Sequence, residues 1–115
     1  MSEKSPLRIL TFGVSESTAR GVNDRLRSRG IDAESHVVSN TPTSDAEIAN
    51  ILTSKHWDGF LVGYGVRKEP EWFERLQQVA KNANPDVPLI NHKTIDDLEN
   101  AIESHFNIQL PPATA

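Results

Sequence analysis

The chain has 115 residues, no cysteine and a formal net charge of -4, from 12 lysines and arginines against 16 aspartates and glutamates. A chain of this length fits one domain, and the missing cysteines exclude disulfides, thiolate catalysis, iron–sulfur clusters and cysteine-type zinc sites. The acidic balance argues against a nucleic-acid partner, and the longest apolar runs are too short for a membrane span. We therefore expect a soluble, cytoplasmic protein that binds neither nucleic acid nor a membrane.

Short apolar runs alternate with longer amphipathic ones, which is typical of βαβ units on a parallel sheet. This pattern predicts a flexible N-terminus over residues 1–6, a single α/β domain over residues 7–108 and a disordered tail over residues 109–115. The four predicted strands lie in "LRILTFGV", "DAESHVVS", "WDGFLVGYG" and "VPLINH".

Four helices are expected between and after these strands, and their first residues can be read from capping signals. The first helix spans residues 15–28. The second carries a capping box, with Ser44 as N-cap and Glu47 three residues later. Pro70 suits the first turn of the third helix, and Thr94 caps the fourth.

Right-handed crossovers predict the strand order 2-1-3-4, with the first and fourth helices on one face and the second and third on the other. The expected fold is a small flavodoxin-like (Rossmann-like) three-layer sandwich with two helices on each face. In such sheets ligands bind beyond the carboxyl ends of the strands, where the winding direction reverses. Here that point lies between strands one and three.

Three loops meet at this predicted crevice and contain the candidate ligand-binding residues. Glycines admit a ligand close to the backbone, an arginine fork grips a carboxylate or phosphate, and hydroxyls gather where a helix begins. The alternative is that the glycines shape turns, the hydroxyls cap a helix and the cations are solvated. The candidates are Gly13, Ser15, Ser17, Gly63, Tyr64, Gly65, Arg67, Asn91 and Lys93.

His92 is the one imidazole expected at the crevice, either as a general base or anion ligand, or as a polar residue that precedes a helix. No HxH or HExxH spacing occurs, so no metal site is predicted. The chain also has no recognisable nucleophile–base pair and no paired acids, which leaves the question of catalysis open.

Two families of similar size differ from this chain at the positions that carry their chemistry. The loop after strand one is similar to the FMN phosphate loop of flavodoxins, but Thr18, Ala19 and Arg20 stand where its Gly-Asn-Thr end would be. A receiver domain needs a phosphoacceptor aspartate after strand three, where residues 63–65 read Gly-Tyr-Gly. The sequence therefore names no cofactor.

Residues 44–102 resemble a family of small uncharacterised bacterial and fungal α/β proteins, through a Gly-x-Gly-x-Arg strand end, a Phe-Glu pair on the next helix and an asparagine after a Pro-rich turn. The chain departs from that pattern at Tyr64, where a small residue is usual, and in the order Ile-Asn-His at strand four. The resemblance implies the fold, names no reaction, and suggests that Glu74 holds Arg67 in place. The residues that carry it are Gly63, Gly65, Arg67, Phe73, Glu74 and Asn91.

Two functions remain open at this stage. One is the binding of a small anionic molecule, bearing a phosphate or a carboxylate, at the C-terminal edge of the sheet. The other is a non-catalytic, flavodoxin-like or receiver-like protein–protein interaction module. A homodimer is also expected through an open sheet edge, such as the short apolar segment "PLIN". Partly exposed Trp57 and Trp72 would add an interface core; the alternative is that both fill gaps beneath the helices.

Overall fold

The computed structural model describes residues 7–111, with residue 95 described by its backbone alone. Within this range no helix is long and apolar enough to cross a membrane. A 3-10 turn over Ile95–Asp97 precedes the last helix. The strands and α-helices of the described range are β1 (Arg8–Gly13), α1 (Glu16–Ser28), β2 (Asp32–Val37), α2 (Pro42–Ser54), β3 (Gly59–Val62), α3 (Tyr64–Arg67), α4 (Pro70–Ala83) and α5 (Leu98–Phe106).

The sheet is parallel and its strand order is β2-β1-β3. The α/β class and the relative order of the first three strands are thus confirmed. In the register, Thr11 of β1 lies beside Ser35 of β2 and Leu61 of β3. β1 is the central strand, whereas the sequence predicted the third strand at the centre beside the first.

The prediction of a four-stranded sheet is wrong. The segment after α4 forms only one parallel bridge, between Phe60 and Leu89. Two hydrogen bonds accompany this bridge, from Phe60 N to the Pro88 carbonyl at 3.0 Å and from Ile90 N to the Phe60 carbonyl at 2.8 Å. Pro88 lacks the N–H that the preceding rung of the ladder would need, so the pairing does not extend toward the N-terminal side of the bridge.

The longer helices cover the two faces of the sheet in the predicted arrangement. Val22 of α1 and Leu98 of α5 pack in one apolar cluster with Ile9 of β1, whereas α2 and α4 pack in a second cluster on the opposite face. The number of helices differs from the prediction, because the short α3 and the 3-10 turn are additional. The predicted start of α4 at Pro70 is confirmed, and α1 begins at Glu16, one residue after the predicted start at Ser15, which is the N-cap.

The predicted capping box of α2 is wrong. The helix is capped by Thr41, whose Oγ1 accepts from Ser44 N at 3.1 Å. Pro42 occupies the first helical position, where its fixed φ favours the helix and its missing N–H costs nothing. Ser44 therefore lies inside the first turn, and its hydroxyl accepts from Ser39 N at 3.0 Å.

The C-terminal segment contacts α1 and α5 as far as it is described. Leu110 is buried, and its amide donates to a carboxylate oxygen of Glu103 at 2.8 Å. The Arg29 side chain donates to the Pro111 carbonyl at 2.6 Å. These contacts involve part of the predicted tail, while residues 1–6 and 112–115 lie outside the described residues.

Both tryptophans are buried, Trp57 at 3% and Trp72 at 4% exposure, so they fill the core beneath α2 and α4. The Trp57 ring N–H donates to the Ile51 carbonyl at 2.9 Å. Their burial confirms the alternative that both tryptophans fill gaps beneath the helices, and they supply no exposed interface core. The homodimer remains a prediction, and these two buried side chains give it no support.

Candidate functional site

A cavity of about 540 Å³ opens at the carboxyl ends of β1 and β3, on the face covered by α1 and α5. It is lined by the three loops that the sequence predicts to converge, and also by the inward faces of the two helices. The lining residues are Thr11, Phe12, Gly13, Val14, Ser15, Thr18, Ala19, Val22, Gly63, Tyr64, Gly65, Arg67, His92, Lys93, Thr94 and Leu98. Apart from Ser17 and Asn91, all the predicted site residues contribute to this lining.

The hydroxyls that begin α1 are mainly occupied with the helix itself. Ser15 is the N-cap, and its Oγ accepts from Thr18 N at 3.4 Å. Ser17 is exposed and lies within hydrogen-bond distance of Ser15, Oγ to Oγ 3.2 Å, outside the cavity lining. This geometry matches the capping alternative for the first loop.

The glycines of the third loop contribute by close packing. Gly63 N donates to the Phe12 carbonyl at 2.8 Å, so its amide belongs to the sheet and is not available to a ligand. A Cβ on Gly65 would clash with Cγ2 of Val14, so glycine suits this close contact between the first and third loops. Val14 and Tyr64 are 47% and 70% exposed, and they form an apolar rim at the mouth.

Arg67 connects the third loop to the segment after the fourth predicted strand. Its Nη1 donates to the His92 carbonyl at 2.8 Å, and its Nη2 lies 3.5 Å from the Lys93 carbonyl. Its Nε is buried and has no hydrogen-bond partner within residues 7–111. Among the described side chains no ion pair joins Arg67 to Glu74, so strand-end carbonyls take the orienting role predicted for that glutamate.

His92 lies on the inner side of that same segment. Partial burial, followed by the positive charge of Arg67, lowers the pKa of His92 from its ordinary value, against opposing contributions from Asp97 and the backbone of Ile90. The imidazole is therefore neutral near pH 7. The side chains of Arg67 and Lys93 supply the positive charge of the lining.

Asn91 lies on the other side of the segment. It lines a separate, more open groove of about 450 Å³ against α5, together with Leu89 and Asn100. A peptide segment presents alternate side chains to opposite sides, so neighbours such as Asn91 and His92 need not share a site. The spacing of residues along the sequence could not assign them to different surfaces.

Eight lining residues stand outside the predicted set: Thr11, Phe12, Val14, Thr18, Ala19, Val22, Thr94 and Leu98. Thr11 is 7% exposed, and its hydroxyl has no hydrogen-bond partner within the described range. A sequence signal for it exists, since a hydroxyl in an otherwise apolar central strand is unusual. Ala19, Val22 and Leu98 carry the ordinary helical periodicity of core residues.

No group of three His, Asp or Glu side chains in the described part of the chain could hold a metal ion. Comparison with protein-family models, with curated proteins and with solved structures finds no match for this chain. The geometry of the cavity therefore carries the functional argument.

Proposed function

We propose that this protein binds a small anionic organic molecule in the cavity between α1 and α5, with the anionic group at the mouth beside Arg67 and Lys93. The observation that carries the proposal is the cavity itself, whose volume of about 540 Å³ falls in the range of small-molecule sites. Its helix-lined walls are apolar, and a few polar groups converge on it, as is typical of such sites.

The guanidinium of Arg67 supports this role even though it is partly engaged. Its bonds to the His92 and Lys93 carbonyls fix the plane of the fork. An arginine carries five N–H groups; with Nε buried and these two contacts made, the remaining hydrogens of Nη1 and Nη2 are left for a ligand. A cation held in place by the protein loses less conformational freedom on binding than a free side chain.

The proposal concerns binding and names no reaction. His92 is the only imidazole in the lining, and no hydrogen bond joins it to a hydroxyl or carboxylate side chain within residues 7–111. Covalent catalysis needs a nucleophile paired with its base, so the proposal gives His92 only the role of a polar group that contacts the ligand.

The interaction-module alternative draws support from the rim. Val14 and Tyr64 are apolar and exposed, and a partner protein would cover them as well as a ligand would. The parallel order β2-β1-β3 supports grouping the domain with flavodoxin-like folds under either function. A cytoplasmic location and the family resemblance stay predictions.

A thermal-shift panel of carboxylic acids, phosphorylated metabolites, nucleotides and flavins tests the proposal. A ligand at about 100 times its dissociation constant adds roughly 2.7 kcal/mol of stability. The variant Ala19→Leu, which fills the cavity from α1, should lose the response. Ala46→Leu on the exposed side of α2 is the matched control and should keep it. A panel without any response, or equal responses in both variants, would contradict the proposal and favour the interaction module.

A further inference from the structure

The bridge between Phe60 and Leu89 leaves one side of the segment after α4 with free backbone groups. Phe60 bonds to the Pro88 carbonyl and to the amide of Ile90, so those two groups point toward β3. Backbone groups of successive residues in an extended segment alternate between its two sides, so the N–H and C=O of Leu89 and Asn91 point outward. Within residues 7–111 these four groups make no hydrogen bond. The side of the segment that carries them is the outer edge.

The outer edge is less protected than the other open edge of the sheet, which is β2. β2 carries Asp32, Glu34 and His36, and charged side chains on an edge strand deter pairing with another chain. Residues 87–92 read Val-Pro-Leu-Ile-Asn-His, without Asp, Glu, Lys or Arg. The N–H that Pro88 lacks would point toward β3, so its absence leaves the outer edge intact. Of the two edges, the outer edge is therefore the better template for an added strand.

The groove of about 450 Å³ beside α5 keeps the outer edge accessible. Its lining includes two residues of the segment and three small, uncharged residues of α5: Leu89, Asn91, Asn100, Ala101 and Ser104. Leu89 is half-buried and Asn91 is exposed, so α5 flanks the outer edge without covering it. The groove therefore leaves room for a second segment along the edge.

The outer edge is complementary to itself in an antiparallel register centred on Ile90. In this register Leu89 of one copy lies opposite Asn91 of the other, and the same pair recurs on the other side of a two-fold axis. Opposed residues with outward groups exchange two N–H···O bonds, so the two pairs give four bonds. Every free backbone group of the outer edge is then satisfied.

The neighbouring registers make fewer bonds. In the register centred on Leu89, Asn91 meets Val87, whose amide already donates to a carbonyl of its own chain. In the register centred on Asn91, Leu89 meets Lys93, whose amide already donates to a carboxylate oxygen of Asp97 at 3.4 Å. The free groups of the edge therefore select the register centred on Ile90.

Charged side chains next to the outer edge match across the same axis. The register centred on Ile90 places Lys93 opposite Val87 of the second copy and next to its Asp86. Lys93 and Asp86 are both exposed, and neither forms an ion pair with another side chain of the described residues. Unlike charges at the rim of an interface help to fix its register.

From the free edge, its self-complementary register and the matching rim charges, we infer that two copies of this chain associate through the outer edge into one continuous sheet with a two-fold axis at Ile90. A second copy is the occupant because both the free groups and the charges of this edge complement themselves. Four backbone bonds and two rim ion pairs make a small interface, so the dissociation constant is on the order of 10–100 µM. The inference goes beyond the proposed function and does not depend on it.

Sedimentation equilibrium of the full chain from about 5 µM to about 1 mM tests the association. The mass should rise from that of a monomer toward twice that value. In NMR spectra of the ¹⁵N-labelled protein over the same concentrations, the amides of Leu89 and Asn91 should shift while those of β2 stay unchanged.

The variant Asn91→Pro removes one outward N–H from each copy, and hence two of the four bonds. It should raise the dissociation constant at least about tenfold. Asn91→Ala keeps the amide and is the matched control, which should dimerise within about twofold of the wild type. Asn91 lies outside the lining of the cavity, so neither substitution alters that site.

Charge substitutions provide the test if Asn91→Pro fails to fold. Lys93→Asp and Asp86→Lys should each weaken the dimer about three- to tenfold, because like charges then meet across the axis. The double variant that exchanges both charges should dimerise like the wild type. Val37→Glu on β2 is the control for the other edge and should leave the dimer unchanged.

A monomer at about 1 mM would overturn the inference and would favour a peptide of another protein as the occupant of the outer edge. A dimer that Asn91→Pro and the single charge variants leave unchanged would also overturn it. Loss of the dimer in Val37→Glu would place the contact at β2 and would contradict the inference as well.

Discussion

The two faces of the sheet are built from the same three strands but packed differently. Beneath α2 and α4, the buried core contains four large aromatic side chains, and the rings of Phe12 and Phe60 meet edge to face with centroids 6.0 Å apart. Beneath α1 and α5, the buried core is aliphatic and the cavity opens at the strand ends. The aromatic face is a filled core, and the aliphatic face contains the candidate site.

The difference can be traced to alternate residues of β1. Ile9, Thr11 and Gly13 share the α1/α5 face, and their side chains become smaller toward the carboxyl end of the strand. Leu10 and Phe12 lie on the opposite face, where side-chain size grows in the same direction. Because successive side chains of a strand point to opposite faces, one strand can fill one core and open the other.

The largest expected effect is a difference in stability between core substitutions on the two faces of the sheet. Leu76→Ala on α4 should lower the free energy of unfolding by about 3–4 kcal/mol, since the side chain is fully buried in the filled core. Leu98→Ala on α5 should cost about 2 kcal/mol, because the space that it leaves joins an existing cavity. Urea denaturation of both variants measures the two losses, and equal losses would show that the faces are packed alike.

The next effect concerns the spacing of α1 and α5 around the cavity. The guanidinium of Arg25 on α1 holds both carboxylate oxygens of Glu99 on α5, and this lowers the pKa of Glu99. Glu99→Gln should cost about 1–2 kcal/mol near pH 7, because the pair is only partly exposed.

The same contact has a defined pH dependence. A carboxyl group whose pKa is lowered on folding stabilises the protein above its ordinary pKa, and this contribution is lost as pH falls through the folded-state pKa. The deficit of Glu99→Gln should therefore shrink in acid. Glu16→Gln, which removes an exposed partner of Arg20, is the matched control and should change stability by less than about 0.5 kcal/mol. A small, pH-independent effect of Glu99→Gln would mean that the pair does not set the helix spacing.

A third prediction compares two buried hydroxyls, one on each face. Thr11→Val should raise the stability of the ligand-free protein by about 1 kcal/mol, because the hydroxyl that it removes has no partner in residues 7–111. Ser44→Ala should lower stability by about 1 kcal/mol, because that hydroxyl accepts from Ser39 N. Thermal and urea unfolding check the opposite signs, and a loss of stability in both variants would argue that Thr11 is an ordinary structural hydroxyl.

The smallest expected effect is a pH dependence of stability that comes from His92 at the mouth of the cavity. The folded-state pKa of His92 is lowered, so the unfolded chain takes up a proton more readily. Above its ordinary pKa the imidazole is neutral in both the folded and the unfolded state and does not affect stability. As pH falls below about 6.5, protonation favours the unfolded chain, so the wild type should lose stability relative to His92→Gln. Unfolding curves between about pH 7.5 and about pH 5.5, with an NMR titration of the imidazole, measure this. An imidazole that titrates at or above its ordinary pKa would exclude the effect.

Much of the fold could be predicted from periodicity and capping signals. The start of α1, the start of α4 and the order of the first three strands depend on local apolar spacing and on handedness, and the structure has the helix starts within one residue and the strand order as expected. The fourth strand could not be predicted correctly from its apolar letters, because Pro88 removes a rung and Phe60 pairs with the segment at a single bridge. The burial of both tryptophans depends on packing between elements, which their positions in the sequence do not reveal.

The site was predictable in position but only partly in composition. Topology brought the three loops together, and Arg67, His92 and Lys93 all line the cavity. Ser17 lies in the first turn of α1 and Asn91 in a loop, and both stand outside the cavity lining. The direction of each side chain depends on local backbone angles that sequence spacing does not fix. The hydroxyl of Thr11 escaped notice because a strand residue was expected to pack rather than to line a cavity.

The most direct test of a binding site on the aliphatic face is an NMR titration of the ¹⁵N-labelled protein with the strongest compound of the ligand panel. Amide shift changes should concentrate at Thr11, Gly13, Gly65 and His92, with saturation at a single site, while amides of α2 and α4 stay unchanged. Changes that centre on α2 and α4, or on the groove beside Asn91 and Asn100, would contradict the proposal that the cavity between α1 and α5 is the functional site.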